Sequence, residues 1–322
     1  MANIFAPNGF SQYQGTGSVP TYEQTQLAIA SGNTTPIFNC DPVVQAVGAT
    51  GVGTGYIQQA YGPVTLTVAA TAIATSANGV LTVTYTGYSA VIGNLPTFAA
   101  ATWSPPIGST MVISGATGAG VNGAFTVTAS SAAAGTVTVA NPGLGASLTS
   151  TASGTVTIYV PIAGVFTGCK YLGTAIKYPN FNNYWPGSGS NGDVTAYVVT
   201  DPNAQFIVQT ANSNTTATAF GLANVGQNIS FNYNDYTSTG EANGNTNNGQ
   251  STFFADQYSL IANSAQGAPA NQFLPFRIIA LANYVPGQTS PLASVNGNDS
   301  TTAYNKIVVG FNNSMQRVLA GI

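Results

Sequence analysis

Between Asp41 and Lys170 the chain has no Asp, Glu, Lys or Arg. A run of that length cannot supply solvated helices, whose outer faces ordinarily carry Glu and Lys, so its polarity must come from hydroxyls and amides. From 63 to 159 the run settles into alternation of Thr with Val, Ala, Ile and Leu: 80–86 (VLTVTYT), 111–114 (MVIS), 124–128 (AFTVT) and 136–140 (TVTVA). A period of two places apolar side chains on one face of a strand and Thr on the other. Asn-Gly, Gly-Ser and Pro-Gly pairs bound these segments and supply the dihedrals that turns require. The segment therefore reads as a small sandwich or barrel able to close its own sheet. A weak echo, Asn78-Gly79-Val80-Leu81-Thr82-Val83-Thr84 against Asn122-Gly123-Ala124-Phe125-Thr126-Val127-Thr128, fits either a duplication or coincidence in a Thr/Val-rich sequence.

The rest of the chain is nearly as poor in charge. Over 322 residues the charged fraction is 4%, against about 25% in ordinary domains, while 44% of residues are apolar, enough for substantial cores. The expected fold is all-β: an antiparallel sandwich or barrel-like core, an extended N-terminal arm and an inserted small β-sandwich domain. Residues 1–35, punctuated by Pro7, Gly9, Gly15, Gly17 and Pro20, read as an arm that packs weakly on itself, with a short strand at 25–30. Residues 36–62 and 160–322 read as two parts of one discontinuous core, and 63–159 as a domain inserted into a surface loop, with the junction at 159–162. The densest strand-and-turn block is 164–209, where apolar runs are separated by Pro-Asn, Trp-Pro-Gly and Asp-Pro-Asn turns. Segments 276–281 (FRIIAL) and 306–311 (KIVVGF) read as a long-looped antiparallel pair finishing the same sheet.

Several function classes are disfavoured. The only cations are Lys170, Lys177, Arg277, Lys306 and Arg317, and the net charge is −3, so no patch is expected to neutralise several phosphates and nucleic acid is not an expected partner. The chain has no histidine, which removes Ser-His-Asp and Cys-His chemistry and His-containing zinc sites. Cys40 and Cys169 read as buried free thiols. Asp193 and Asp201 are the best pair for acid and base catalysis, but Asp41-Pro42 and Asp201-Pro202 are better read as turn or cap formers. The loop 234–249 offers Asp235, Glu241 and amide oxygens without the spacing of a calcium loop, and 51–55 (GVGTG) lacks the lysine and helix of a phosphate loop. No cofactor and no enzymatic activity are expected. The opening MANIFAPNGF has no basic, then apolar, signal pattern, and no apolar run nears the roughly 20 residues of a membrane span, so no membrane is expected either.

What remains is surface. Tyr178, Phe181, Tyr184 and Trp185 form an aromatic cluster that suits a core, a protein interface or a sugar-stacking site, and Phe5, Phe10, Tyr13 and Tyr22 are the aromatic anchors of the arm. These eight residues are the candidate interface. The series Gly164-Val165-Phe166-Thr167-Gly168-Cys169, Tyr178-Pro179-Asn180-Phe181, Tyr184-Trp185-Pro186, Ala196-Tyr197-Val198-Val199 and Asp201-Pro202-Asn203-Ala204-Gln205-Phe206-Ile207-Val208-Gln209 resembles a family of tailed-bacteriophage virion proteins associated with capsid decoration, or cement. The likeness continues through Phe276-Arg277-Ile278-Ile279, Lys306-Ile307-Val308-Val309 and Cys40-Asp41-Pro42-Val43, and so covers 1–62 and 160–322 but not the insertion. The resemblance implies a β-rich protein, commonly a homotrimer, made in the host bacterial cytoplasm and bound on the virion surface, where it clamps the major capsid protein. The alternative expectation is a head or tail fibre or receptor-binding protein, with the insertion and the aromatic loop contacting host surface glycans.

Overall fold

A computed structural model describes residues 3–14, 24–76, 80–90, 103–116, 121–140, 154–174, 178–236, 243–260, 271–282 and 301–316. The fold is all-β, with 52% strand and 4% helix. Before the uncharged segment lie β1 (Ser11–Gln14), β2 (Gln24–Ile29), β3 (Pro42–Val47) and β4 (Gly53–Gln59). The segment itself contributes β5 (Val64–Ser76), β6 (Val80–Ala90), β7 (Thr110–Ser114), β8 (Gly123–Ser131), β9 (Thr136–Ala140) and β10 (Thr155–Tyr159). After it come β11 (Gly164–Leu172), β12 (Pro179–Asn182), β13 (Val194–Val199), β14 (Gln205–Ala211), β15 (Asn228–Asn232), β16 (Gly244–Asn245), β17 (Gln250–Ser251), β18 (Phe254–Asp256), β19 (Phe276–Leu281) and β20 (Lys306–Phe311).

The Thr/Val segment closes into a barrel in the order β10-β5-β6-β9-β8-β7, every neighbour antiparallel. This settles sandwich against barrel: pairing β10 with both β5 and β7 leaves no free edge, which a sheet with few charges to guard its edges otherwise exposes. The alternation sorts as expected, with Leu81, Val83, Val127, Val137, Val139, Val156 and Ile158 buried inside. The two echoed strands, β6 and β8, flank β9, and Leu81 and Val127 both stand opposite Val139. Trp103 sits among them, its indole N–H donating to the Tyr61 hydroxyl at 3.1 Å and its ring 4.9 Å from that of Tyr88.

The remaining strands form two six-stranded sheets and a two-stranded ladder, β16-β17, and the late pair 276–281 and 306–311 does not join the sheet of β11 and β13 as expected. The first runs β12-β11-β13-β2-β4-β3, and a further β11–β3 pairing returns it on itself. The second runs β1-β14-β18-β15-β19-β20 and is likewise closed by β14–β20. Phe276–Leu281 and Lys306–Phe311 do pair antiparallel, but beside β14, apart from β11 and β13. The block 164–209 is therefore divided, its last strand crossing into the second sheet after the Asp-Pro-Asn turn.

The N-terminal segment also differs from a weakly packed arm. Ser11–Gln14 pairs with β14 and Gln24–Ile29 lies between β13 and β4. Phe10 is fully buried, stacked on Phe276 at 4.2 Å within a cluster that includes Phe206, Phe231 and Phe311. Gln209 fastens the segment further: its carbonyl accepts from Ala6 N–H at 2.8 Å and its amide donates to the Ile4 and Tyr304 carbonyls, each at 2.9 Å. Burying one Phe is worth about 1.5–3 kcal/mol, so a residue the sequence offered as an external anchor is instead part of the protein's own core.

The chain leaves for the barrel and returns at one place. Ala60 N–H donates to the Pro42 carbonyl and Ala163 N–H to that of Val43, adjacent residues of β3, at 2.9 and 2.7 Å. Beyond this double tether, Tyr159 packs on Phe273 and Leu274, and one buried apolar cluster runs from the barrel interior into the second sheet.

Candidate protein interface

The β11–β12 hairpin sorts the aromatic cluster by face. Opposite pairs are Cys169↔Asn182, Lys170↔Phe181, Tyr171↔Asn180 and Leu172↔Pro179. Strand alternation then puts Lys170, Leu172, Pro179 and Phe181 on the outer face and Cys169, Tyr171 and Asn182 on the inner one. Phe181 is 70% exposed and Tyr178 74%, and the Lys170 ammonium lies 5.4 Å from the centre of the Phe181 ring. Among the described residues β12 is the last strand of its sheet, and such an edge offers backbone groups for pairing.

Tyr184 and Trp185 go the other way. Trp185 is fully buried; its backbone exchanges hydrogen bonds with Ile37, its indole N–H donates to the Asn33 carbonyl at 3.2 Å, and its ring meets Tyr171 edge-on. Tyr184 is half-buried, stacked on Phe38 at 5.4 Å. Gly187 ends the Trp-Pro-Gly turn at φ 80°, where a Cβ would strike the Thr34 carbonyl. Trp185 is thus a core residue, because the turn folds it under β11, and Tyr184 follows its neighbour inward.

Among the arm anchors, Phe5 is half-buried against Phe254 and Tyr304, Phe10 is in the core, and Tyr13 on β1 remains 42% exposed. Tyr22 and Lys177 lie outside the described residues. The structure therefore leaves Phe181 exposed on β12 and Tyr178 exposed immediately before that strand, with Tyr13 on the outer strand of the other sheet.

No protein-family model, curated protein or solved structure matches this chain.

The groups considered for chemistry are held apart. Asp201 accepts from Asn203 N–H at 2.9 Å, the local turn its sequence suggests, whereas Asp193 accepts from the Ser31 N–H at 3.1 Å and the Tyr56 hydroxyl at 2.8 Å. Among the described residues no three Cys, Asp or Glu side chains cluster as metal ligands. Glu241 lies outside the described residues, and Asp235 is buried beside the Tyr304 hydroxyl. The thiols are free; burial pushes Cys40 up to about 11 and Cys169 up to about 12, so neither is a ready nucleophile near neutral pH. Cys169 is buried, as expected, and Cys40 half-buried.

Among the described residues three carboxyls are buried, Asp41, Asp235 and Asp256, where sequence reasoning had placed turns or solvated loop or nothing at all. Asp41 is more than a turn former: one oxygen accepts from Phe38 N–H and the Gln59 amide, both at 2.8 Å, and Gln59 in turn accepts from Asn243. Burial drives its pKa up to about 7 against the pull of Ser251, Phe38 and Gln59. Asp256 is raised to about 6 by burial despite Ser213 and Tyr258. The scarcity of charge was the available signal: with eight acids in the chain, those in apolar surroundings are conspicuous.

Proposed function

We propose that this chain is a non-enzymatic virion structural protein, a capsid decoration or cement protein that binds the outer surface of a bacteriophage major capsid lattice. The observation that carries the reading is the exposure of two large aromatic rings outside the protein's own core, Phe181 on the edge strand β12 and Tyr178 immediately before it. Aromatic side chains of this kind supply much of the energy of protein interfaces, and a sheet edge adds main-chain pairing. In a homotrimer three such faces engage neighbouring capsid subunits. Once the first is bound the others are effectively intramolecular, so modest contacts sum to firm attachment. The neutral Thr/Val barrel, tethered at one point of β3, projects from the shell.

Copy number tests this reading. Quantitative mass spectrometry of virions carrying the chain is expected to give hundreds of copies per particle relative to the major capsid protein. About a dozen or fewer would replace decoration by a fibre or receptor-binding role.

A further inference from the structure

In the first sheet β2 and β4 run parallel and pair at a single position, Ala28↔Tyr56. Beyond it the two strands diverge, and a cleft of about 480 Å3 opens between the turn after β2 and the face of β4, within the size range of small-molecule sites. Its polar lining includes Asn33, Thr34, Thr35, Thr54, Tyr56 and Gln58, with Gln59 at its floor. Along β4 the burial alternates, with Ile57 and Gln59 buried and Tyr56 and Gln58 half-buried, and all four reach the cleft. An Asx turn, Thr35 N–H to the Asn33 side-chain oxygen at 2.9 Å, fixes one wall, and the Thr54 hydroxyl is tied to the Ala46 carbonyl. Among the described residues the Gln58 amide and the Thr34 hydroxyl have no protein partner.

We propose that this cleft binds a neutral oligosaccharide. Amide and hydroxyl side chains at fixed positions match sugar hydroxyls as both donors and acceptors, and Tyr56 supplies an aromatic ring. The lining has no Lys or Arg to hold a phosphate or sulfate, and the carboxylate beside it, Asp193, is bound to the Tyr56 hydroxyl and the Ser31 N–H. Its apolar side chains are Ala30, Ala46 and Ile57, two of them no larger than a methyl group. The site is on the core sheet, apart from the barrel, and does not depend on what β12 docks onto.

The test is an amide-resonance titration of the full chain with N,N′-diacetylchitobiose, maltose, cellobiose and lactose, with a heparin disaccharide as anionic control and a Thr/Val hexapeptide as strand control. At least one neutral sugar is expected to shift residues 32–35 and 54–58. Gln58→Ala and Tyr56→Ala are each expected to weaken that binding about tenfold, the worth of one good contact, with Tm unchanged. No response to any neutral sugar at about 10 mM, roughly the weakest affinity worth assigning to a site, overturns the proposal. So does an equal response to heparin, a response to the hexapeptide alone, or binding that both variants leave intact.

Discussion

Single residues show how burial divides side chains of the same type. Tyr178 and Phe181 point out, while Trp185, four residues beyond Phe181, is sealed beneath β11. Trp185→Ala is expected to cost about 3–5 kcal/mol in urea unfolding, whereas Tyr178→Ser with Phe181→Ser should change stability by less than about 1 kcal/mol. Asp41 makes a second test. Its folded pKa of about 7 exceeds the unfolded value near 4, so as pH rises the unfolded chain gives up its proton first. Stability is therefore fully present below about pH 4, declines between about 4 and about 7, and levels off above; Asp256, raised to about 6, adds to the same decline. Asp41→Asn keeps an oxygen for Phe38 and Gln59 and removes the charge, and should flatten the profile and raise stability at pH 8. An unchanged slope would show that Asp41 is not its source. None of this was readable from the Asp41-Pro42 dipeptide, because the partner amide of Gln59 arrives from another strand.

Among elements, strands with strict alternation were legible and their partners were not. β6, β8 and β9 follow the Thr/Val pattern, since a period of two fixes which face is buried. The aromatic cluster looked like one loop because its residues are close in sequence; only the β11–β12 register, Lys170 opposite Phe181, separates its faces. β1 was hidden by Gly and Pro in the segment around it, whereas β2 was legible as the strand at 25–30; their partners β14 and β13, far along the chain, were not. Deleting residues 1–20 removes Phe10 from its stack on Phe276 and β1 from β14. That deletion is expected to lower the unfolding midpoint markedly, where a free arm would leave it unchanged.

At the scale of the molecule, two closed sheets and a barrel share buried apolar surface. The strands of 64–159 were legible from their alternation, and the chain on either side of them is bonded at Ala60 and Ala163 to neighbouring residues of β3. That 276–281 and 306–311 lie in a different sheet from β11 and β13 was not legible, because sheet membership depends on pairings such as β14–β20, a hundred residues apart. Replacing 62–161 by a short Gly/Ser linker is expected to leave a folded but less stable core, its loss traceable to the Tyr159, Phe273 and Leu274 contacts; an unfolded product would show that the barrel is needed for folding. The central claim is that β12 presents a capsid-binding face. Co-sedimentation of the purified chain with capsids stripped of it measures this directly: the native chain is expected to bind to saturation and the Tyr178→Ser, Phe181→Ser double variant, folded as native by circular dichroism, to stay in the supernatant. Equal binding by the two would contradict the claim.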